Sequence, residues 1–329
     1  MGKNPMSPAE QTFIFGPVPS RRLGHSLGVD VIPFKTCTYN CIYCQLGQTT
    51  DLTITRRRYA PTGKIMEQLR QRLSDGPQPD YITLSGSGEP TLHAGLGELI
   101  GSIKRHTRIP VAVLTNGSLL WDGMVQRALA GADLVIPSLD AGDPRVFQRV
   151  NRPHPALDFE QVTKGLVEFR RGFDGQIWLE VFLVEGVNAT SEDVLSIREL
   201  ADSIEPDRIQ LNTVVRPAAE DYALRVSNAD MDRIRAVFGN RAEVIAPYET
   251  APVPAHGSAV ADDILEMLRR RPCTLDDVAA GLGIHRNEAI KYLAKLVETH
   301  LAEKIGQDST TFYRACESSN AHAEERNRT

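Results

Sequence analysis

Cysteine is scarce in this sequence, five residues in 329. Three of the five crowd into one loop, so too few remain for a disulfide framework and a reducing compartment is expected. Positive charge is not in surplus: 37 Lys and Arg stand against 42 Asp and Glu, a net charge of −5. That balance argues against chain-wide polybasic binding to nucleic acid or to an anionic membrane surface. No apolar run approaches the ~18 residues a spanning helix needs, so no membrane association is expected. Residues 1–11 are polar and contain proline, with no basic stretch leading into an apolar core, which is not the pattern of a signal peptide. A soluble cytoplasmic protein is the expectation. What is present, 41% hydrophobic and 24% charged residues, is ordinary globular composition, with length for one large domain and a small one.

The stretch that organises the rest is Cys37-Thr38-Tyr39-Asn40-Cys41-Ile42-Tyr43-Cys44, which follows the apolar run Ser26-Leu27-Gly28-Val29-Asp30-Val31-Ile32. A short loop with cysteines spaced three and then two residues apart can turn three thiolates toward one point, and thiolates are the usual ligands of iron–sulfur clusters. A structural zinc site wants a fourth Cys or His, with ligands arriving in pairs. The next histidine is His93 and the next cysteine Cys273. Three ligands on a cubane leave one iron open to a small molecule. The competing readings of the loop are a zinc knuckle and three cysteines buried without a metal.

Downstream the chain alternates. Apolar strand patterns at 27–32, 80–84, 111–114, 134–136, 177–184 and 208–215 are separated by helical patterns at 62–73, 96–106, 123–130, 159–170 and 191–204, with a further helix at 230–238 and a short strand at 243–245. Alternation of this kind predicts an α/β fold with parallel strands, here about six units, a partial (β/α)6 TIM-like barrel. The domain reading is a core over 1–247, a Pro/Gly linker over 248–258 containing Pro252, Pro254 and Gly257, a small domain over 259–315 and a polar, disordered tail over 316–329. Helical patterns at 261–269, 274–281 and 285–300, then a hairpin around 306–309, resemble a winged helix. From residue 255 onward ten Lys and Arg face twelve Asp and Glu, so this domain lacks the basic footprint usual in nucleic-acid binders. Its expected role is contact with a nucleic acid, contact with a protein, or a lid over the core.

Polar residues gather at the carboxyl ends of the strands, where barrel enzymes place their sites. Ser85-Gly86-Ser87-Gly88-Glu89-Pro90 follows one strand, and its glycines let backbone approach a ligand closely. Asn116, Ser138 and Asp140 follow the next two, with capping of strand ends as the alternative role. Glu180 and Asn212 interrupt otherwise apolar strands. A carboxylate among Trp178, Leu179, Val181 and Phe182 costs several kcal/mol unless it is paired or faces a wet cavity, so Glu180 predicts either a ligand contact or an ion pair. Arg21 and Arg22 read as an anion site or as salt-bridged arginines, and Arg216 as a ligand contact or a salt bridge.

The spacing C-x3-C-x2-C, with Tyr43 before the last cysteine, resembles the signature of the radical S-adenosylmethionine (SAM) superfamily. The resemblance implies a [4Fe–4S] cluster on Cys37, Cys41 and Cys44. It also implies SAM chelated at the open iron and cleaved by one electron to methionine and a 5′-deoxyadenosyl radical, which abstracts hydrogen from a substrate. Residues 85–90 stand where the family carries its Gly-Gly-Glu motif for the SAM amino group. Ser87 interrupts the glycine pair, so the match rests on Gly88, Glu89 and Pro90, with Gly86 beside them. By position, Tyr43, Asn116, Ser138, Asp140, Glu180 and Asn212 complete the implied SAM-binding set. The phrases at 16–24, 26–30 and 45–47 are similar to uncharacterised proteins grouped with wybutosine-type tRNA-modifying enzymes, although this chain lacks the cysteines of their second cluster. The resemblance therefore implies a tRNA or protein substrate and an electron donor such as flavodoxin or ferredoxin. An alternative of a different class is a redox-sensing Fe–S winged-helix regulator without turnover.

Overall fold

A computed structural model of the chain describes residues 12–245, 261–282, 284, 286–307 and 310–316. The chain divides into two compact units, residues 1–249 and 250–329. In the first, β1 (Ile14–Ser20), β2 (Gly24–Val29), β3 (Thr36–Cys37) and β4 (Asp51–Leu52) precede α1 (Thr62–Asp75). Then β5 (Tyr81–Leu84), α2 (Leu96–His106), β6 (Val111–Thr115), α3 (Gly123–Leu129), β7 (Leu134–Pro137), α4 (Pro144–Val150) and α5 (Phe159–Gly172) follow. The unit closes with β8 (Gln176–Leu183), α6 (Ser191–Ile204), β9 (Arg208–Thr213), α7 (Asn228–Phe238) and β10 (Ala242–Val244).

Eight of these strands form one sheet in the order β1-β2-β5-β6-β7-β8-β9-β10. All neighbours from β2 to β10 pair in parallel, and β1 pairs antiparallel with β2. The six long parallel strands agree with the partial barrel expected from sequence. The antiparallel edge strand lies outside the strand patterns expected from sequence. Gly16, Pro17 and Pro19 sit inside β1, where an edge strand tolerates prolines because only one side is hydrogen-bonded. Its pairing register shifts between Phe15 and Val18.

Side chains on a strand alternate between faces, and β8 shows what that does here. Ile177, Leu179, Val181 and Leu183 pack in the main core with Val162, Leu166 and Ile197 of the covering helices. The opposite face carries Trp178, Glu180 and Phe182 in turn. Trp178 packs with Leu23, Ala112, Leu134 and Ile136 in a smaller apolar cluster. The β1–β2 turn, 21–23, thus lies against the inner face of the sheet, and its arginines meet Glu180 and Asn212.

The second unit holds α8 (Ala261–Arg270), β11 (Cys273–Thr274), α9 (Leu275–Leu282), α10 (Arg286–Glu298), β12 (Ala302–Gln307) and β13 (Thr310–Ala315). Its three strands pair antiparallel in the order β11-β13-β12. Ile264, Leu268, Cys273, Val278, Leu293 and Tyr313 form its core. Linker 248–258 and tail residues 317–329 lie outside the described residues, while Cys316 donates its backbone N–H to Leu301 O at 2.9 Å. Among the described residues, no helix is long and apolar enough to cross a membrane.

Candidate functional site

The loop after β2 carries the three cysteines to the carboxyl rim of the parallel strands. Its backbone is tied down on several sides. Asn40 N–H reaches Asn151 O at 3.0 Å, Ile42 N–H reaches Val150 O at 3.0 Å, and Thr53 N–H reaches Cys37 O at 2.9 Å. Tyr39 pairs with Pro153 and stacks edge-on against Phe147 of α4 at 5.4 Å. The loop is therefore preformed by α4 and its C-cap, Asn151.

All three thiols are half-buried, and burial is the first cause raising each of their pKa values. Cys37 is pushed up to about 12, helped by the charge of Glu89. Cys41 rises well above the ordinary thiol value, with the charges of Asp140, Cys37 and Cys44 adding to burial. Cys44 is raised as well, with the Leu46 backbone and Lys35 pulling the other way. Three mutually repelling thiolates in such a place are disfavoured unless positive charge joins them, and a bound metal centre supplies it. Hydrogen-bond donors accompany two of the sulfurs. Asn116 Nδ2 lies 3.5 Å from Cys37 Sγ and Asn151 Nδ2 lies 3.5 Å from Cys41 Sγ. Three soft donors on one loop, two of them with amide N–H partners, fit a cluster bound through separate irons. Among the described residues no group of three His, Cys, Asp or Glu could hold a single metal ion.

The remaining expected residues fall into two sets. Gly86, Gly88, Glu89, Asn116 and Asp140 face the protein itself. A Cβ at Gly86 would stand 2.4 Å from Asp30 Cγ, and one at Gly88 would stand 1.9 Å from Thr36 O. The close approach these glycines permit is thus to Asp30 and the cysteine loop. Gly86 has a φ of 149°, which also favours glycine. Glu89, 2% exposed, accepts from Thr91 N at 3.0 Å, Thr91 Oγ1 at 2.6 Å, Thr115 Oγ1 at 2.6 Å and Asn116 N at 2.7 Å. Burial raises its pKa against the pull of these donors. Asn116 in turn donates to Thr38 Oγ1 at 2.7 Å, and Thr38 meets Ser118 at 2.7 Å. The Gly-rich loop and the third strand end are stitched to the cysteine loop through one carboxylate and one amide.

Asp140 plays the matching part on the other side. It accepts from Tyr43 Oη at 2.5 Å, Asn151 Nδ2 at 2.7 Å and Phe182 N at 2.9 Å. Burial lifts its pKa to about 6 even so. The contacts missed by the sequence reading are Asn151, Thr38, Ser118 and Asp30.

The second set surrounds a cavity of about 240 Å³ lined by Tyr43, Cys44, Ser138, Glu180 and Asn212, with Phe182, Arg21, Arg22 and Arg216. Tyr43 stacks on Phe182 with ring centroids 3.9 Å apart. Glu180 lines the cavity and pairs with Arg22 Nη2 at 2.7 Å, the ion pair that was one of its two expected roles. Asn212 donates to Glu180 Oε1 at 2.9 Å and accepts from Arg21 Nη1 at 3.2 Å. Burial alone would raise Glu180, but the Arg22 charge and hydrogen bond, with Asn212 and Arg21, hold its pKa below the usual value. The cavity thus brings together one carboxylate, two stacked rings, one cysteine and three arginines.

A family model described as the radical SAM superfamily matches residues 31–201. A protein named GTPase Obg from Brachyspira hyodysenteriae is 40% identical over 289 residues, 87% of this chain and 42% of that protein. The chain therefore spans under half the length of that relative. The UPF0026 protein of Methanocaldococcus jannaschii is 31% identical over 309 residues, 92% of this chain and 95% of its own length. Among solved structures, TYW1 with a lysine-pyruvate adduct bound aligns with a TM-score of 0.50 at 18% identity, covering 68% of this chain and 75% of that one. That likeness is one of fold.

Proposed function

Because the chain belongs to the radical SAM superfamily and groups within it with the UPF0026 proteins, we propose that it is an enzyme that cleaves SAM reductively to start hydrogen abstraction from a substrate. The cofactors are a [4Fe–4S] cluster and SAM. When bound, they supply one-electron C–S cleavage and a carbon radical, chemistry that no side chain can start alone. Cys37, Cys41 and Cys44 would hold the cluster. Tyr43, stacked on Phe182 and bonded to Asp140, forms a rigid wall of the cavity beside Cys44. Ser138, Glu180 and Asn212 offer polar groups to the ligand. Glu89, Asn116 and Asp140 act one step back, fixing the cysteine loop so that the ligand geometry is set before loading.

The observation that carries this reading is the convergence of Cys44, Tyr43, Glu180 and Asn212 on one cavity, which gives a small molecule a place beside a cluster ligand. A cavity there supports turnover over a sensing role. The test is anaerobic reconstitution followed by dithionite reduction with SAM. Release of 5′-deoxyadenosine is the expected result, and its absence from a loaded, reduced sample overturns the proposal. The physiological reductant in this reading is a flavodoxin or ferredoxin. The three helices and three-stranded sheet of the second unit are read as a winged helix that contacts the macromolecular partner, tRNA or protein.

A further inference from the structure

Helix α4 ends in an unfavourable residue for its backbone. The C-cap is Asn151, and the residue after it, Arg152, has a φ of 45°. Helices commonly end on such a left-handed residue, and glycine is the usual choice because a Cβ is strained there. What the turn does for the backbone needs no side chain. Asn151 O and Arg152 O both accept from Asn40 N–H, at 3.0 and 3.1 Å, and His154 N–H reaches Thr38 O at 2.9 Å. Glycine would serve these contacts with less strain, so the reason for an arginine lies in its guanidinium.

That guanidinium holds a segment that follows β9. Nη1 donates to Glu220 Oε1 at 2.5 Å and Nη2 to Tyr222 Oη at 2.7 Å. Glu220 also accepts from Gln48 Nε2 at 3.3 Å, and its backbone N–H reaches Ile42 O at 3.0 Å. Residues 217–224 are thus strapped to the chain on both sides of Cys44, before it at Ile42 and after it at Gln48. The cavity wall uses the same two pieces of chain, residues 43–46 and residues 213–216, which lead into the strap. Apolar packing holds the strap lightly. Among the described residues between Val214 and Val226, Ala223 is the one that is buried, packed with Ile42, Val184 and Val214. Tyr222 and Leu224 are exposed. A segment with few buried apolar contacts opens at low free energy unless polar bonds keep it shut.

We propose that residues 217–224 are a gate on the cavity and that Arg152 is its clasp. With both side-chain bonds made, the strap ties the two wall segments to each other. With them released, the wall parts and admits a ligand. The inference rests on the reading of the cavity as the SAM site and adds how that site is reached.

The test is hydrogen–deuterium exchange of the full chain, reconstituted anaerobically, read in peptides that cover the strap. Arg152→Gly removes the clasp and eases the backbone, Arg152→Ala removes the clasp and keeps the strain, and Glu220→Gln releases the clasp from the other side. All three are expected to speed exchange in the strap about tenfold, the change in an opening equilibrium when one charge-assisted hydrogen bond is lost. Exchange in the cysteine loop should stay at the wild-type rate. Arg152→Gly should also unfold at a higher urea concentration than Arg152→Ala, because the two differ only in the strain at this φ. In freeze-quenched samples of the reduced protein, SAM should change the EPR spectrum sooner in Arg152→Gly than in the wild type. Strap exchange at the wild-type rate in the variants overturns the clasp. So does faster exchange spread equally over α4 and the cysteine loop, which would leave Arg152 a stabiliser of the fold alone. Faster strap exchange with an unchanged SAM response rate overturns the gate. A wild type whose EPR spectrum ignores SAM contradicts the cofactor reading instead, and the exchange data, which need no SAM, separate that outcome from failure of the clasp.

Discussion

Asn151 bridges Asp140 and Cys41, with its Nδ2 2.7 Å from Asp140 Oδ2 and 3.5 Å from Cys41 Sγ. A donor to a ligand sulfur stabilises the more negative, reduced state of a cluster and raises its potential. Replacing Asn151 with Ala removes a bond worth ~1 kcal/mol, about 40 mV for one electron. The cluster midpoint in an EPR-monitored redox titration is expected to fall by that order, and Asn116→Ala, which frees Cys37, should act alike. An unchanged midpoint in both would show that these amides do not reach the sulfurs.

Asp140→Asn tests the carboxylate's role as a joint between strands and cysteine loop. Both oxygens accept, one from Phe182 N and the other from Tyr43 and Asn151. An amide must turn its NH2 toward one of those donors, leaving a buried group unmatched at a cost of about 1–3 kcal/mol. Chemical unfolding of the variant should show a loss of that size.

Part of this arrangement was legible in the sequence, and part was hidden for physical reasons. The parallel strands stand out as short, nearly continuous apolar runs, as strands buried on both faces are, and most helices by their 3.6-residue apolar period. Glu180 and Asn212 stand out because they break such a run. Helix α4, Pro144–Val150, lies outside the helical patterns read from the sequence. Its start was readable, since Asp143 caps Arg145 N and Val146 N and Pro144 takes the first turn. Missing it also hid Asn151, whose importance comes from a contact 110 residues away in sequence. Strand β1 was masked by Gly16, Pro17 and Pro19, so the placement of Arg21 and Arg22 on the inner face of the sheet could not be read either.

Gly88 lies against the backbone of Thr36, just before Cys37. A methyl group there would collide with Thr36 O, so Gly88→Ala is expected to destabilise by about 1–3 kcal/mol through overpacking and to lower iron content after reconstitution. Gly63→Ala is the control, because a Cβ there meets nothing within 4 Å. Its urea midpoint should match or exceed that of the wild type.

His93 gives a pH signature away from the cavity. Its side chain is fully buried, and burial, with repulsion from Arg58, lowers its pKa from 6.5 to about 4. The unfolded chain therefore binds a proton that the folded one refuses between those values, so stability falls as pH drops from about 6.5 toward 4. The full shift is worth roughly 3 kcal/mol. His93→Gln should flatten this part of the stability profile, measured by urea unfolding across that window, whereas a profile identical to wild type would contradict the assignment.

The most direct test of the cluster assignment is the EPR spectrum of the anaerobically reconstituted, dithionite-reduced protein before and after SAM. A signal of a reduced [4Fe–4S] centre that changes on adding SAM, and that disappears when Cys37, Cys41 or Cys44 becomes Ala, is the predicted result. A protein that retains only zinc, or a cluster signal indifferent to SAM, would contradict it.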